Sequence, residues 1–306
     1  MLKVSIIGAG NVGATAAREI GFTRMVDEIV LLDIKEGIAE GKALDINQAL
    51  CLMNSRTNVI GVTNDYSVTA DSNIIIITSG VPRKPGMTRE ELVGVNSNVL
   101  KSVLDNTSKY SPDALYIIVS NPMDTMTYFT YKYLGIPSGR VIGMGGILDS
   151  SRFCYYISEA LKVPKEKVMG YVVGGHGDTT MVPIMSEAYY GEEKVEKLLS
   201  EEQQKEVIEK TMKGGATITS LLGTSAWYAP AVAISALVYF IVTNSGESIP
   251  CSVYREEYGV CVGSLVKVGL SGVKEIATEN YLNATELKAF LQSVEAVKKV
   301  NEALSL

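Results

Sequence analysis

The chain contains a single histidine, His176, set among glycines in Gly174-Gly175-His176-Gly177-Asp178 at the end of an apolar run. Imidazole is the side chain whose ordinary pKa lies nearest neutrality, so it can take up and release a proton at physiological pH. The flanking glycines carry no side chain and let a ligand come close. Oxidation of an alcohol carbon by hydride loss requires such a group, because the hydroxyl proton must leave as the hydride does. A lone histidine is also an ordinary core or surface residue, and its surroundings must separate the two readings. Asp149 and Arg152 stand three residues apart and share a helix face. By spacing alone they make a helical ion pair. The functional alternative gives them separate tasks: Arg152 grips a substrate carboxylate with its planar fork, and Asp149 orients His176 and favours its protonated ring.

Two further segments can bind anions or polar ligands. Gly80-Val81-Pro82-Arg83-Lys84-Pro85-Gly86-Met87-Thr88-Arg89 is a cationic loop punctuated by glycine and proline. It reads either as a solvated loop or as a lid whose Arg83 and Arg89 close over an anion. In Ser120-Asn121-Pro122-Met123-Asp124, Asn121 is placed either to cap a helix before Pro122 or to hydrogen-bond a ribose and a substrate.

Near the start, Gly8-Ala9-Gly10-Asn11-Val12-Gly13 follows an apolar strand and opens a helix. The first glycine permits the tight turn, the second lets backbone approach a pyrophosphate, and the third lets helix pack on strand. The phosphate charge then meets the helix N-terminus. Asp33 ends the next strand, 20 residues after Gly13. A carboxylate there accepts hydrogen bonds from a ribose 2′-hydroxyl and repels a 2′-phosphate, which favours NAD over NADP.

The elements that must position these residues alternate through the first half. Strands are expected at Leu2–Gly8, Glu28–Ile34, Asn58–Thr63, Asn73–Thr78, Ala114–Ser120 and Arg140–Met144. Helical patterns lie between them, at about Asn11–Ile20, Glu40–Leu50, Glu90–Thr107 and from Met123. Near-continuous β-branched runs separated by helices indicate parallel strands covered on both faces. The second half differs. It has a helix at Asp149–Leu161, a strand into Gly174, long helices at Glu201–Leu221 and Ala229–Val242, and strands at Ile249–Tyr254 and Val260–Val268. A last helix starts at Asn283, an N-cap with Glu286 as capping-box partner. Leu287, Phe290, Leu291, Val294 and Val297 form its apolar stripe. The expected fold class is α/β, an N-terminal Rossmann-type doubly wound parallel sheet (1–145) followed by a C-terminal α+β substrate domain (146–306).

Composition narrows the function classes. The 306 residues are 46% hydrophobic and 20% charged, as in packed globular proteins. A net charge of −6 argues against a nucleic-acid partner. No apolar run reaches a membrane span and no signal-peptide pattern opens the chain, so a cytoplasmic protein is expected. Cys51, Cys154, Cys251 and Cys261 form no CxxC pair and read as reduced thiols. No metal-ligand cluster is apparent, which argues against an NAD-dependent, metal-requiring glycosidase.

The motifs at 8–13, Asp33, 80–89, 120–124, Leu148-Asp149-Ser150-Ser151-Arg152 and 174–178, in this order, resemble the lactate/malate dehydrogenase family over nearly the whole chain. The match is close to the malate dehydrogenases of the lactate-dehydrogenase-like group. The resemblance implies that His176 is the proton acceptor with Asp149 as partner, that Arg152 holds the C1 carboxylate, and that Arg89 polarises the carbonyl. Arg83 falls at the position that distinguishes substrates. An arginine there is similar to the malate type, while lactate dehydrogenases typically carry an uncharged residue. Buried unpaired arginine is costly, about 3–5 kcal/mol, so three converging arginines favour a dicarboxylate over a monocarboxylate. Gly8, Ala9, Gly10, Asn11, Val12, Gly13, Asp33, Asn96, Val119, Ser120 and Asn121 match cofactor contacts. A homotetramer, or else a dimer, is implied. The segment 223–230 resembles the substrate-pocket wall, with no inward side chain assigned. Cys154 departs from relatives that often carry arginine there, with an effect expected on packing or subunit contacts. The competing readings are a lactate dehydrogenase and a catalytically silent NAD(H)-binding regulatory protein. Retention of His176, Asp149 and Arg152 together argues against the second.

Overall fold

A computed structural model describes residues 1–82 and 87–305. The first half alternates β1 (Lys3–Ile7), α1 (Asn11–Thr23), β2 (Glu28–Asp33), α2 (Ile38–Leu52), β3 (Asn58–Thr63), β4 (Ile74–Ile77), α3 (Arg89–Tyr110), β5 (Leu115–Ile118), α4 (Met123–Leu134) and β6 (Val141–Gly143). The strands pair in the order β3-β2-β1-β4-β5-β6, all parallel. All four isoleucines of β4 are fully buried, as helices on both faces require. Chain order reverses on either side of β1, between β2 and β4. The crevice beyond the carboxyl ends of these strands is where this architecture receives ligands.

The second half comprises α5 (Gly146–Leu161), β7 (Val168–Met169), β8 (Val172–Gly174), β9 (Met181–Pro183), β10 (Tyr189–Tyr190), β11 (Glu193–Lys194), α6 (Val195–Leu198), α7 (Glu201–Leu222), α8 (Tyr228–Thr243), β12 (Ile249–Arg255), β13 (Val260–Gly269), β14 (Gly272–Ile276) and α9 (Ala284–Asn301). The sheet does not stop at β6. β12 joins it antiparallel where Ser252 faces Gly143, and β13, β8 and β9 follow. Both halves therefore share one mixed sheet, parallel on one side and antiparallel on the other.

The expected α/β architecture is present, with the ends of the expected strands displaced by no more than two residues. The short strands β7, β9, β10, β11 and β14 were not anticipated, because two to five residues carry too little periodicity to read. Helix α8 is apolar on most sides. Ile234, Leu237, Val238 and Ile241 belong to the same core as Ala16, Ala17 and Ile20 of α1, so α8 from the second half covers the first.

Helix α9 opens with the expected capping box between Asn283 and Glu286. Its apolar stripe needs correcting. Phe290, Val294 and Val297 are buried, but Leu291 is 42% exposed and Leu287 lies on the flank. The helix is rotated so that buried Ser293 faces inward. Its hydroxyl accepts from the Gly175 N–H and donates to the Thr180 carbonyl, both at 2.7 Å. A polar tether to the His176 loop has taken the place of part of an apolar stripe.

Candidate active site

The glycine turn lies between β1 and α1. Gly8 has φ +111°, and a Cβ there would sit 2.8 Å from the Ser79 nitrogen. At Gly13 a Cβ would sit 1.9 Å from the Gly8 carbonyl oxygen, so only glycine lets α1 pack on the turn. Around Gly10 nothing lies within 4 Å of a Cβ, which leaves the backbone open to a ligand. Gly10 is also the N-cap of α1, without a side-chain cap and with no carboxylate in the first turn. This arrangement suits a pyrophosphate. Asp33 ends β2 beside the turn. One carboxylate oxygen accepts from the Ala9 N–H at 2.7 Å and the other from the Lys35 N–H at 3.0 Å. Lys42 donates to the Ala9 carbonyl at 2.6 Å. The residues present fit a dinucleotide.

A cavity of about 380 Å³ opens beyond β1, β4 and β5. Val12 of the glycine-turn segment lines it, as do Val119, Ser120 and Asn121 after β5, Asn96 of α3, and Arg152 and His176. The chain thus brings seven of the expected residues, from both halves, to one cavity. The Asn96 side chain is consumed by backbone. It accepts from Val81 N–H at 2.8 Å and donates to the Val81 and Asn121 carbonyls at 3.1 and 2.6 Å. It holds the cavity wall together. Asn121 does not cap α4. The cap position is Pro122, after a cis Asn121–Pro122 bond, and no side chain bonds the helix start. Of the 223–230 segment, Ser225, Ala226 and Pro230 face the cavity. Arg83 lies outside the described residues, and of Arg89 only its place at the start of α3 is described.

His176 follows β8 on the cavity wall. Its Nδ1 lies 2.7 Å from Asp149 Oδ2, and Asp149 Oδ1 accepts from Arg152 Nη1 at 3.1 Å. Asp149 is only 2% exposed, so its charge works in a poorly screened setting. Burial by itself pulls the His176 pKa down. The charge and hydrogen bond of Asp149, with a further contribution from Asp124, outweigh burial and the opposing Arg152, and the net shift is upward. The helical ion pair and the functional constellation are therefore the same object. Asp149 bonds both side chains at once, one through each carboxylate oxygen.

Arg152 keeps one polar group in reserve. Its Nε is buried without a partner among the described residues, a costly state that a carboxylate acceptor would relieve. Room for its guanidinium comes from α7. A Cβ at Gly214 would approach Arg152 Cδ to 3.2 Å, and one at Gly215 would approach Nη1 to 3.4 Å. Two adjacent glycines inside a helix each cost about 1 kcal/mol, a sequence signal that was available and unread. Asp124 was missed as well. It is buried in the first turn of α4 and accepts from the His176 main-chain N–H at 2.6 Å. Cys154 is half-buried with Sγ 3.6 Å from the Gly170 carbonyl oxygen. Burial pushes its thiol up to about 11, so it is an unreactive packing residue.

A dinucleotide cradle opening beside a buried carboxylate–histidine–arginine cluster defines a nicotinamide-dependent oxidoreductase fold and site. Residues 2–143 match the model of the NAD-binding domain of lactate/malate dehydrogenase, and residues 147–305 match that of the family's alpha/beta C-terminal domain. The chain belongs to the lactate/malate dehydrogenase family. It is 54% identical to a malate dehydrogenase of Parabacteroides distasonis and 52% identical to one of Flavobacterium johnsoniae, across 99% of this chain and 98% of each relative. The crystal structure of Cryptosporidium parvum malate dehydrogenase is similar at TM-score 0.92 and 38% identity, covering 98% of both chains. A lactate dehydrogenase from Cryptosporidium parvum, complexed with lactic acid and NAD, is similar at TM-score 0.92 and 33% identity, covering 98% of this chain and 97% of that one. NAD is the cofactor of this family's binding domain and of this chain.

Proposed function

We propose that this chain is an NAD-dependent malate dehydrogenase, interconverting (S)-malate and oxaloacetate. The observation that carries the reading is the buried Arg152–Asp149–His176 cluster on the cavity wall, in a chain more than half identical to proteins named malate dehydrogenase. When bound, the nicotinamide accepts hydride from malate or returns it to oxaloacetate. The protein's residues do the rest. Asp149 accepts a hydrogen bond from His176 Nδ1–H, which fixes the tautomer with Nε2 free as the base that removes the hydroxyl proton. In reduction the protonated ring gives that proton back. Arg152, with its unpartnered Nε, holds the C1 carboxylate. Arg89 polarises the carbonyl, and Arg83 pairs with the second carboxylate. Both assignments rest on the family resemblance. Gly8, Gly10 and Gly13 make room for the pyrophosphate with Ala9, Asn11 and Val12, and Asp33 receives the adenosine ribose hydroxyls. Val119, Ser120 and Asn121 form the wall beside the nicotinamide, braced by Asn96.

We also divide the chain near residue 145 into an NAD-binding and a substrate domain, a reading supported by the two family-model matches. Among the described residues no helix is long and apolar enough to cross a membrane. We place the enzyme in the cytoplasm, as a homotetramer. Exposed Leu221, Leu222, Tyr228 and Val232 around the α7–α8 corner support assembly with further copies.

Initial rates of NADH oxidation with oxaloacetate and with pyruvate at matched concentrations test the activity. A large preference for oxaloacetate is expected, with Arg83 as selector. A preference for pyruvate gives the lactate reading instead, and no turnover with either leaves a silent NAD(H)-binding protein.

A further inference from the structure

Asp124 sits where a carboxylate needs a reason to be. Its side chain is 6% exposed and forms no ion pair with a lysine or arginine among the described residues. A first-turn acid often serves only to favour its own helix N-terminus. Here neither oxygen turns to the helix. Oδ2 accepts from the His176 main-chain N–H and Oδ1 from the Ser252 hydroxyl, each at 2.6 Å. Ser252 is fully buried on β12, at the point where that strand pairs with Gly143 of β6. One carboxylate thus ties three segments together: the start of α4, the seam of the sheet and the His176 loop. Behind the ring, a Cβ at Gly145 would lie 3.0 Å from His176 Cβ and 3.1 Å from Cγ, so the histidine is seated closely against backbone.

Resting on the malate dehydrogenase reading, we infer that Asp124 is a positioning residue for proton transfer. It fixes the backbone of His176 by a direct hydrogen bond, is itself anchored by Ser252, and supplies a second buried negative charge that favours the protonated ring. Asp149 orients the ring and Asp124 orients the residue that carries it. Burial raises the Asp124 pKa, against the Ser252 and His176 hydrogen bonds that lower it. Two partners that both donate suit an ionised carboxylate. The other charged or titratable groups facing this pair are Asp149 and Arg152 of α5, Cys261 of β13 beside Asp124, and Asp178 further along the loop.

The single histidine makes the test direct. In protein labelled with ¹⁵N-histidine, the ring nitrogens report one residue, with no substrate present. Asp124→Asn keeps the shape and an acceptor for the His176 N–H while Ser252 turns its hydroxyl, so charge is removed with little change of geometry. The ring titration is expected to move to lower pH, and kcat for oxaloacetate reduction at pH 8 to fall about tenfold with KM within twofold. A titration curve superimposable on wild type, with unchanged kcat, overturns the inference. If that variant does not fold, Ser252→Ala decides. It retains the charge and frees the carboxylate from β12, and a severalfold lower kcat with wild-type KM is expected. Wild-type kcat and titration in Ser252→Ala would then overturn it. Failure of the activity reading shows itself separately, as absent turnover in the unaltered enzyme.

Discussion

At the residue scale the proposed chemistry rests on His176 and Asp149, whose pairing at 2.7 Å has a direction that can be checked. The His176 pKa is raised above the ordinary histidine value, with Asp149 overcoming burial. Oxaloacetate reduction draws on the protonated ring, so its kcat/KM is expected to be high at low pH and to fall as pH passes that raised pKa. Malate oxidation draws on the neutral ring and should rise through the same midpoint. Asp149→Asn removes the dominant favourable charge. The shared midpoint should move to lower pH, and reduction near neutrality should drop by about 100-fold or more, while circular dichroism stays that of a folded protein. Steady-state profiles in both directions decide it, and two curves bending the same way would remove His176 from the proton-transfer role. Residue type and glycine setting singled out His176 in the sequence, while its pairing with Asp149 was implied by the family resemblance. The sequence did not name Asp124, because an acid after proline at a helix start has an ordinary local explanation.

At the scale of elements, the glycine turn and α1 form one unit. The Cβ that Gly13 lacks would lie 1.9 Å from the Gly8 carbonyl oxygen, a backbone atom that cannot swing aside. Gly13→Ala should therefore push α1 off β1. A loss of about 1–3 kcal/mol or more of stability is expected, together with at least tenfold weaker NADH binding, read by denaturant unfolding and by fluorescence titration. Unaltered NADH affinity would show that the helix start does not form the pyrophosphate site. The glycines of α7 obey the same geometry at a distance. Gly214 and Gly215 are set against Arg152, which comes from a helix more than fifty residues earlier. Periodicity located α7, but which face met Arg152 depended on how α5 and α7 pack.

The whole molecule couples site to stability. A group with a raised folded-state pKa binds its proton more tightly folded than unfolded. The stability that His176 contributes is then full below about pH 6.5 and is lost as pH rises through its folded value. Asp149→Asn should narrow the gap in Tm between pH 6 and pH 8. In the proposed site NADH spans the turn and the cavity of the folded chain. At 100 times its Kd it should add about 2.7 kcal/mol, seen as a rise in Tm. No rise at saturating NADH would contradict the cradle. The mixed sheet is the physical link between the halves: β6 and β12 meet at Gly143 and Ser252, and Ser252 bonds Asp124, which accepts from the His176 main chain.

What the amino-acid sequence determined by itself was local: apolar period, glycine turns, helix caps and the few residue types able to move a proton or hold an anion. These depend on neighbours within about one turn or one strand, so they can be read in order along the chain. The doubly wound half, the dinucleotide turn and the candidacy of His176 are of this kind, while the roles of Asp149 and Arg152 were implied by the family resemblance. The tertiary structure alone decided that the sheet continues antiparallel past β6, that α8 covers α1, that α9 turns Ser293 rather than Leu291 inward, and that Asp124 reaches His176. Each depends on residues from about 50 to more than 200 positions apart meeting at the same place, and that meeting is set by packing of whole elements, for which a linear pattern carries no distance.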